Sequence, residues 1–175
     1  MMGEGRKISV ARQVATVGLM AASLECVKLA LSVLPNIEAV TLLVAVFSYA
    51  AGWTGVLATM VFVCIEPLIW GFGTWVISYA LYWPALALLF LVLGRLRVKN
   101  RVAITSVAVG MTIWFGVLTS LVDIGLFSGR FDNFFHRFAI YYARGAAFYA
   151  LQVASNLVLF PLLFRTLTEK LKKLT

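Results

Sequence analysis

The sequence predicts an all-α polytopic membrane protein, with six transmembrane helices and both termini cytoplasmic, as a single integral domain over residues 1–175. Three observations predict it: an apolar composition, a succession of apolar runs of spanning length, and basic residues gathered between alternate runs. Of the 175 residues, 62% are hydrophobic and 13% charged, and the mean hydropathy is +0.96. Soluble domains average about 25% charged residues. A chain this apolar lacks the polar groups to cover its own surface in water, whereas a bilayer solvates apolar surface directly.

A spanning helix needs about 20 apolar residues. Residues 9–33, 74–94, 102–127 and 141–164 each read as one span. The region 39–69 is too long for one span and short for two, with Gly52 at its middle. Basic residues decide its threading, because Lys and Arg accumulate in cytoplasmic loops. Arg6, Lys7 and Arg12 precede the first run; Arg95, Arg97, Lys99 and Arg101 separate the fourth from the fifth; Arg165, Lys170, Lys172 and Lys173 close the chain. All three clusters share one side only if 39–69 crosses twice, as 39–51 and 54–69. The net charge of +8 then marks membrane edges near anionic lipid and needs no nucleic-acid partner.

Several chemistries are excluded or disfavoured. No GxxxxGK[ST] occurs, so the chain has no phosphate-binding loop with which to hydrolyse ATP. Gly71–Trp75 (GFGTW) reads as an interfacial turn among aromatics. His136 is the sole histidine, with no second ligand at helical spacing, so no metal is expected. No GxSxG elbow accompanies it, and no catalytic residue or cofactor is assigned. Cys26 and Cys64 read as packing residues without a disulfide. The start MMGEGRKISVARQ lacks the features of a cleavable signal, so the first helix is expected to be retained.

Ionisable residues inside a membrane cost on the order of 3 kcal/mol or more each, so each calls for an explanation. Counted along the first helix at 1.5 Å per residue, Glu25 and Lys28 lie about 24 and 29 Å from its cytoplasmic start. Glu38 follows the Pro35–Asn36 turn; Glu66 ends the third helix before Pro67; Asp123 ends the fifth; Arg144 opens the sixth. All six charges converge near the outer face, which points to an outward-facing polar pocket. Glu25 can pair with Lys28 at i, i+3, and Asp123 with Arg144 across helices. Four acids against two bases still leave a net of −2, which a donor-rich or cationic ligand would balance. Trp70, Phe72, Trp75, Tyr79, Tyr141 and Tyr142 share that level, either as an interfacial belt or as walls for a flat polar molecule. Ser128–Ile140, rich in Phe, reads as a lid or as an interfacial anchor. The candidate binding residues are therefore Glu25, Lys28, Asn36, Glu38, Glu66, Trp70, Trp75, Tyr79, Asp123 and Arg144.

On the first helix Ala11, Ala15, Gly18 and Ala22 form one stripe of small residues, a spacing that admits close approach by another helix in lipid.

The stretches ARQVATVGLMAASLECVKLAL, LPNIEAVTLL and CIEPLIWGFGTWVISYALYWP, with the PNxE turn after the first helix, resemble the substrate-capture (S) components of energy-coupling factor (ECF) vitamin transporters. The resemblance covers most of the chain. It implies a high-affinity micronutrient binder in a prokaryotic plasma membrane, not itself an enzyme. Its partners would be a transmembrane coupling protein and two cytoplasmic ATPase subunits. The family's AxxxA docking motif maps to Ala11 and Ala15, with Gly18 and Ala22 as the competing register. Cobalamin is the first expectation for the vitamin, and a queuosine precursor or another amine-bearing heterocycle the alternative. Two other classes stand beside this one: a proton-coupled secondary transporter using Asp123, Glu66 or Glu25, and a non-binding assembly subunit of a membrane complex.

Overall fold

The computed structural model describes residues 9–33, 39–128 and 132–174. They form seven α-helices: α1 (Val10–Leu31), α2 (Val40–Ala51), α3 (Trp53–Trp70), α4 (Trp75–Arg95), α5 (Arg101–Val122), α6 (Phe134–Leu159) and α7 (Arg165–Leu174). A π-helical turn, Asp123–Ser128, extends α5, and another, Phe160–Phe164, joins α6 to α7. Five helical stretches are long and apolar enough to cross a membrane. Their outward faces carry large apolar side chains, such as Leu19 (71% exposed) and Leu68 (76%), consistent with a multi-pass membrane protein whose solvent is lipid.

Local chemistry sets the boundaries. Ser9 caps α1 by accepting from the Arg12 N–H, and Asn100 caps α5 by accepting from the Val102 and Ala103 N–H groups; a side-chain oxygen there satisfies donors that the first turn leaves open. Gly52, at φ 63°, is the single residue between α2 and α3. A residue with a Cβ is strained in that region, so the hairpin turns where glycine stands.

The short α2 is the centre of the bundle. Almost all of it from Val40 to Ser48 is buried, as a helix apolar on every side should be. It packs against α1, α3, α4 and α7. Backbone closeness makes this possible: a Cβ on Gly55 would sit 2.3 Å from the Phe47 carbonyl, and one on Gly94 would sit 2.5 Å from the Tyr49 carbonyl oxygen. Small residues at helix crossings are the usual route to tight packing in lipid. The core then fills with Phe62, Tyr82, Trp83, Leu86 and Phe90 around α2. The α6 helix leans on α5, pinned where Asn156 Nδ2 donates to Thr112 Oγ1 at 2.9 Å.

Two boundaries and the two cysteines depart from the sequence reading. The last apolar run was expected over 141–164, but α6 begins at Phe134, because Phe134, Phe138 and Tyr142 stack at helical spacing. Phe134–Ile140 is thus the opening of α6, and residues 129–131 of the expected lid lie outside the described residues. The same run ends as an α-helix at Leu159, where Pro161 supplies no N–H and a π turn follows. Cys26 and Cys64 are exposed and free rather than packed inside, since an apolar thiol is equally at home against lipid.

Candidate functional site

Three helices meet at the end of the bundle that carries the Gly71–Gly73 linker. Lys28 stands in the last turn of α1, Glu66 near the end of α3, and Tyr79 in the opening turns of α4. The arrangement follows from α1 packing on α3 and α3 on α4, which brings all three side chains to one level.

The Lys28 ammonium is bonded to the Glu66 Oε2. It also lies 5.0 Å from the Tyr79 ring centroid and 5.4 Å from that of Trp70, so two ring faces and one carboxylate hold the cation. Glu66 is fully buried, and its second oxygen has no partner. Glu25, also buried, lies within hydrogen-bonding reach of the Glu66 carboxyl, and no N–H or hydroxyl group among the described residues reaches either of its oxygens. Two carboxyl groups against one ammonium leave three oxygens that no N–H or hydroxyl group of the described residues reaches. Buried polar groups are ordinarily paired, so this set is prepared to receive donors.

Aromatic rings wall the cluster along one face of α4. Trp75, Tyr79 and Trp83 recur every fourth residue, with edge-on ring contacts at 5.0 and 5.7 Å. Trp83 was not singled out from sequence; it is 4% exposed and its indole N–H has no acceptor. The four-residue spacing from Trp75 was the signal that could have found it.

The structure therefore joins Glu25, Lys28, Glu66, Trp70, Trp75 and Tyr79. It does not join the expected pairs: Lys28 spans to α3 instead of closing on Glu25, and no ion pair links Asp123 with Arg144. Asp123 is half-buried in the π turn after α5. Arg144 is exposed, with its guanidinium 5.8 Å from the Tyr141 ring, beside a surface cleft with His136 and Arg137. Asn36 and Glu38 lie outside the described residues. Among the described residues no three His, Cys, Asp or Glu side chains gather as a metal site.

The small-residue stripe of α1 faces outward: Ala11, Ala15, Gly18 and Ala22 are all exposed, opposite the buried Met20, Ala21, Leu24 and Glu25. A groove of about 850 Å³ runs beside it between α1, the α2–α3 hairpin and α7. No protein-family model, curated protein or solved structure matches this chain.

Proposed function

We propose that this chain is the substrate-capture component of an ECF-type importer, which binds a micronutrient at the Glu25–Lys28–Glu66 cluster and hands it to a separate coupling protein driven by two ATPases. The observation that carries the reading is the set of three buried oxygens, two on Glu25 and one on Glu66, that no N–H or hydroxyl group of the described residues reaches. A purely structural network would close on itself, because an unmatched buried carboxylate is costly to keep. The ligand chemistry it suits is flat against Trp70 and Tyr79 and rich in N–H donors. Cobalamin, with its amide edge, and an amine-bearing heterocycle such as a queuosine precursor both meet that description.

In this reading the chain crosses the plasma membrane six times with both termini cytoplasmic. The short α2 provides one crossing, tolerated because protein rather than lipid surrounds it. The cluster then faces outward, and the exposed α1 stripe with its neighbouring groove receives the coupling protein. Lys28–Glu66 also favours the assembly-subunit reading, since it ties α1 to α3 without any ligand.

One experiment separates the two: mass spectrometry of small molecules released from the detergent-purified chain, then calorimetric titration with each candidate vitamin. Tight binding of one compound, lost in Glu66→Gln, is the expected result. A folded, monodisperse sample that binds none of them would make the assembly-subunit reading the better one.

A further inference from the structure

At the opposite end of the bundle, the α4–α5 linker, the first turns of α5 and α7 enclose a cavity of about 200 Å³. Lys99, Arg101, Arg165, Lys172 and a single acid, Glu169, line it, a surplus of three positive charges. Glu169 is taken up by Arg165, with Nε to Oε1 at 2.7 Å, which leaves Lys99, Arg101 and Lys172 without a carboxylate pair in the cavity, the Lys172 ammonium lying 4.8 Å from the Tyr49 ring centroid. Thr168 lines it too, at 5% exposure, with a hydroxyl that has no hydrogen-bond partner. Buried hydroxyls are ordinarily bonded. Three cations around an idle buried donor are the chemistry of a phosphate site.

Arg101 also opens a second concavity, about 470 Å³ in volume, that runs along α5 past Val102, Val109, Gly110 and Ile113 against Leu157 and Pro161. From residue 101 to residue 113 is about 18 Å at the helical rise, close to the ~15 Å depth of one leaflet's hydrocarbon. Two sequence features make the groove. Gly110 adds no side chain, and a Cβ there would meet nothing within 4 Å. Pro161, inside the π turn, forms part of the far wall.

We propose that cavity and groove together bind one anionic glycerophospholipid, its phosphate held by Lys99, Arg101, Lys172 and the Thr168 hydroxyl, with an acyl chain laid along α5. A free phosphate would use the cavity and leave the apolar groove unexplained. The lipid clamps α7 to the end of the bundle through its own charge. Its leaflet is the cytoplasmic one if the topology proposed above holds; the binding chemistry does not depend on that topology or on the vitamin site.

The test is native mass spectrometry of the detergent-purified full chain offered phosphatidylglycerol, phosphatidylcholine or inorganic phosphate, with thermal unfolding in parallel. One phosphatidylglycerol should be retained at least tenfold in preference to phosphatidylcholine. Arg101→Gln with Lys172→Gln should cut that retention tenfold or more, and Gly110→Leu, which fills the groove without touching a cation, should weaken it severalfold. Equal retention of both lipids would overturn the proposal, as would phosphate alone protecting as fully as phosphatidylglycerol, which would mark a free-anion site. Should the double variant not stay monodisperse, Gly110→Leu decides, and unchanged retention there overturns the proposal.

Discussion

The Lys28 ammonium on α1 is committed to Glu66 on α3, although Glu25 stands one turn away on its own helix. The choice leaves Glu66 paired inside the bundle and Glu25 buried beside it without a direct ion pair. Removing one partner of a buried ion pair strands the other, and typically costs about 3–5 kcal/mol. Lys28 keeps a quarter of its side chain exposed, so solvent screens part of that cost. Lys28→Met alone, or Glu66→Leu alone, should lower stability by about 2 kcal/mol, while the double replacement should recover most of the loss. A double-mutant cycle on thermal unfolding in detergent measures the coupling; additive losses would show that the pair contributes nothing.

Glu25 predicts the opposite pattern. Its buried carboxyl faces that of Glu66 and meets no N–H or hydroxyl donor among the described residues, so Glu25→Gln relieves the contact between two acids and should leave the unfolding midpoint unchanged or raised. If the carboxylate exists to meet a donor-rich ligand, the same variant should bind that ligand about 10- to 100-fold more weakly, the worth of one charge-assisted hydrogen bond. Stability gained with binding lost is the signature of a functional site. Titration calorimetry beside a melting curve reads both, and a variant that loses stability would assign Glu25 to the fold.

Much of this was legible in the sequence, for reasons that differ by residue. The α2–α3 hairpin was readable because Gly52 interrupts an apolar run too long for one crossing, and the structure turns at that residue. That Glu25, Lys28 and Glu66 share one level at one end of the bundle followed from counting along helices. The identity of the pairs did not, because helix rotation decides whether Lys28 meets Glu25 or Glu66, and packing of α1 on α3 sets that rotation. The π turns at Asp123 and Pro161 were equally hidden, since nothing in the apolar periodicity marks where a helix widens by one residue. Trp83 was passed over as one more aromatic in an apolar run, its idle N–H visible only in three dimensions.

The tight seating of α2 makes glycine positions distinguishable. Gly55→Ala and Gly94→Ala place a methyl within 2.5 Å of α2 backbone atoms, and backbone cannot swing aside as a side chain can. Each should cost about 1–3 kcal/mol as overpacking. Gly18 and Gly110 also lie within helices, but a Cβ there meets nothing within 4 Å. Their replacement by Ala should be neutral or stabilising by up to about 1 kcal/mol, from helix propensity alone. Unfolding midpoints of the four variants in one detergent provide the comparison, and equal losses at all four would mean that α2 is not held by close backbone contact.

The six-crossing topology depends on α2, which at 12 residues is about 18 Å long, well short of the ~30 Å hydrocarbon core. If α2 crosses, the Gly71–Gly73 linker and the Arg97–Asn100 linker lie on opposite sides of the membrane, the first outside and the second inside with the basic clusters. Both linkers offer an exposed position, Phe72 and Arg97. With Cys26 and Cys64 replaced by Ala, Phe72→Cys should react with a membrane-impermeant maleimide in intact cells, and Arg97→Cys only after the membrane is opened. Cysteines placed at Ser9 and at Leu174 should behave like the one at Arg97, because an even number of crossings returns the chain to the side on which it began. If α2 does not cross, the chain between Ser9 and Phe72 crosses twice instead of three times, and the cysteine at Ser9 should then label together with Phe72→Cys. That result would put the Lys28 end of α1 and the Glu66 end of α3 on opposite sides of the membrane, against the Lys28–Glu66 pair, and would remove the charge asymmetry on which the outward-facing site rests.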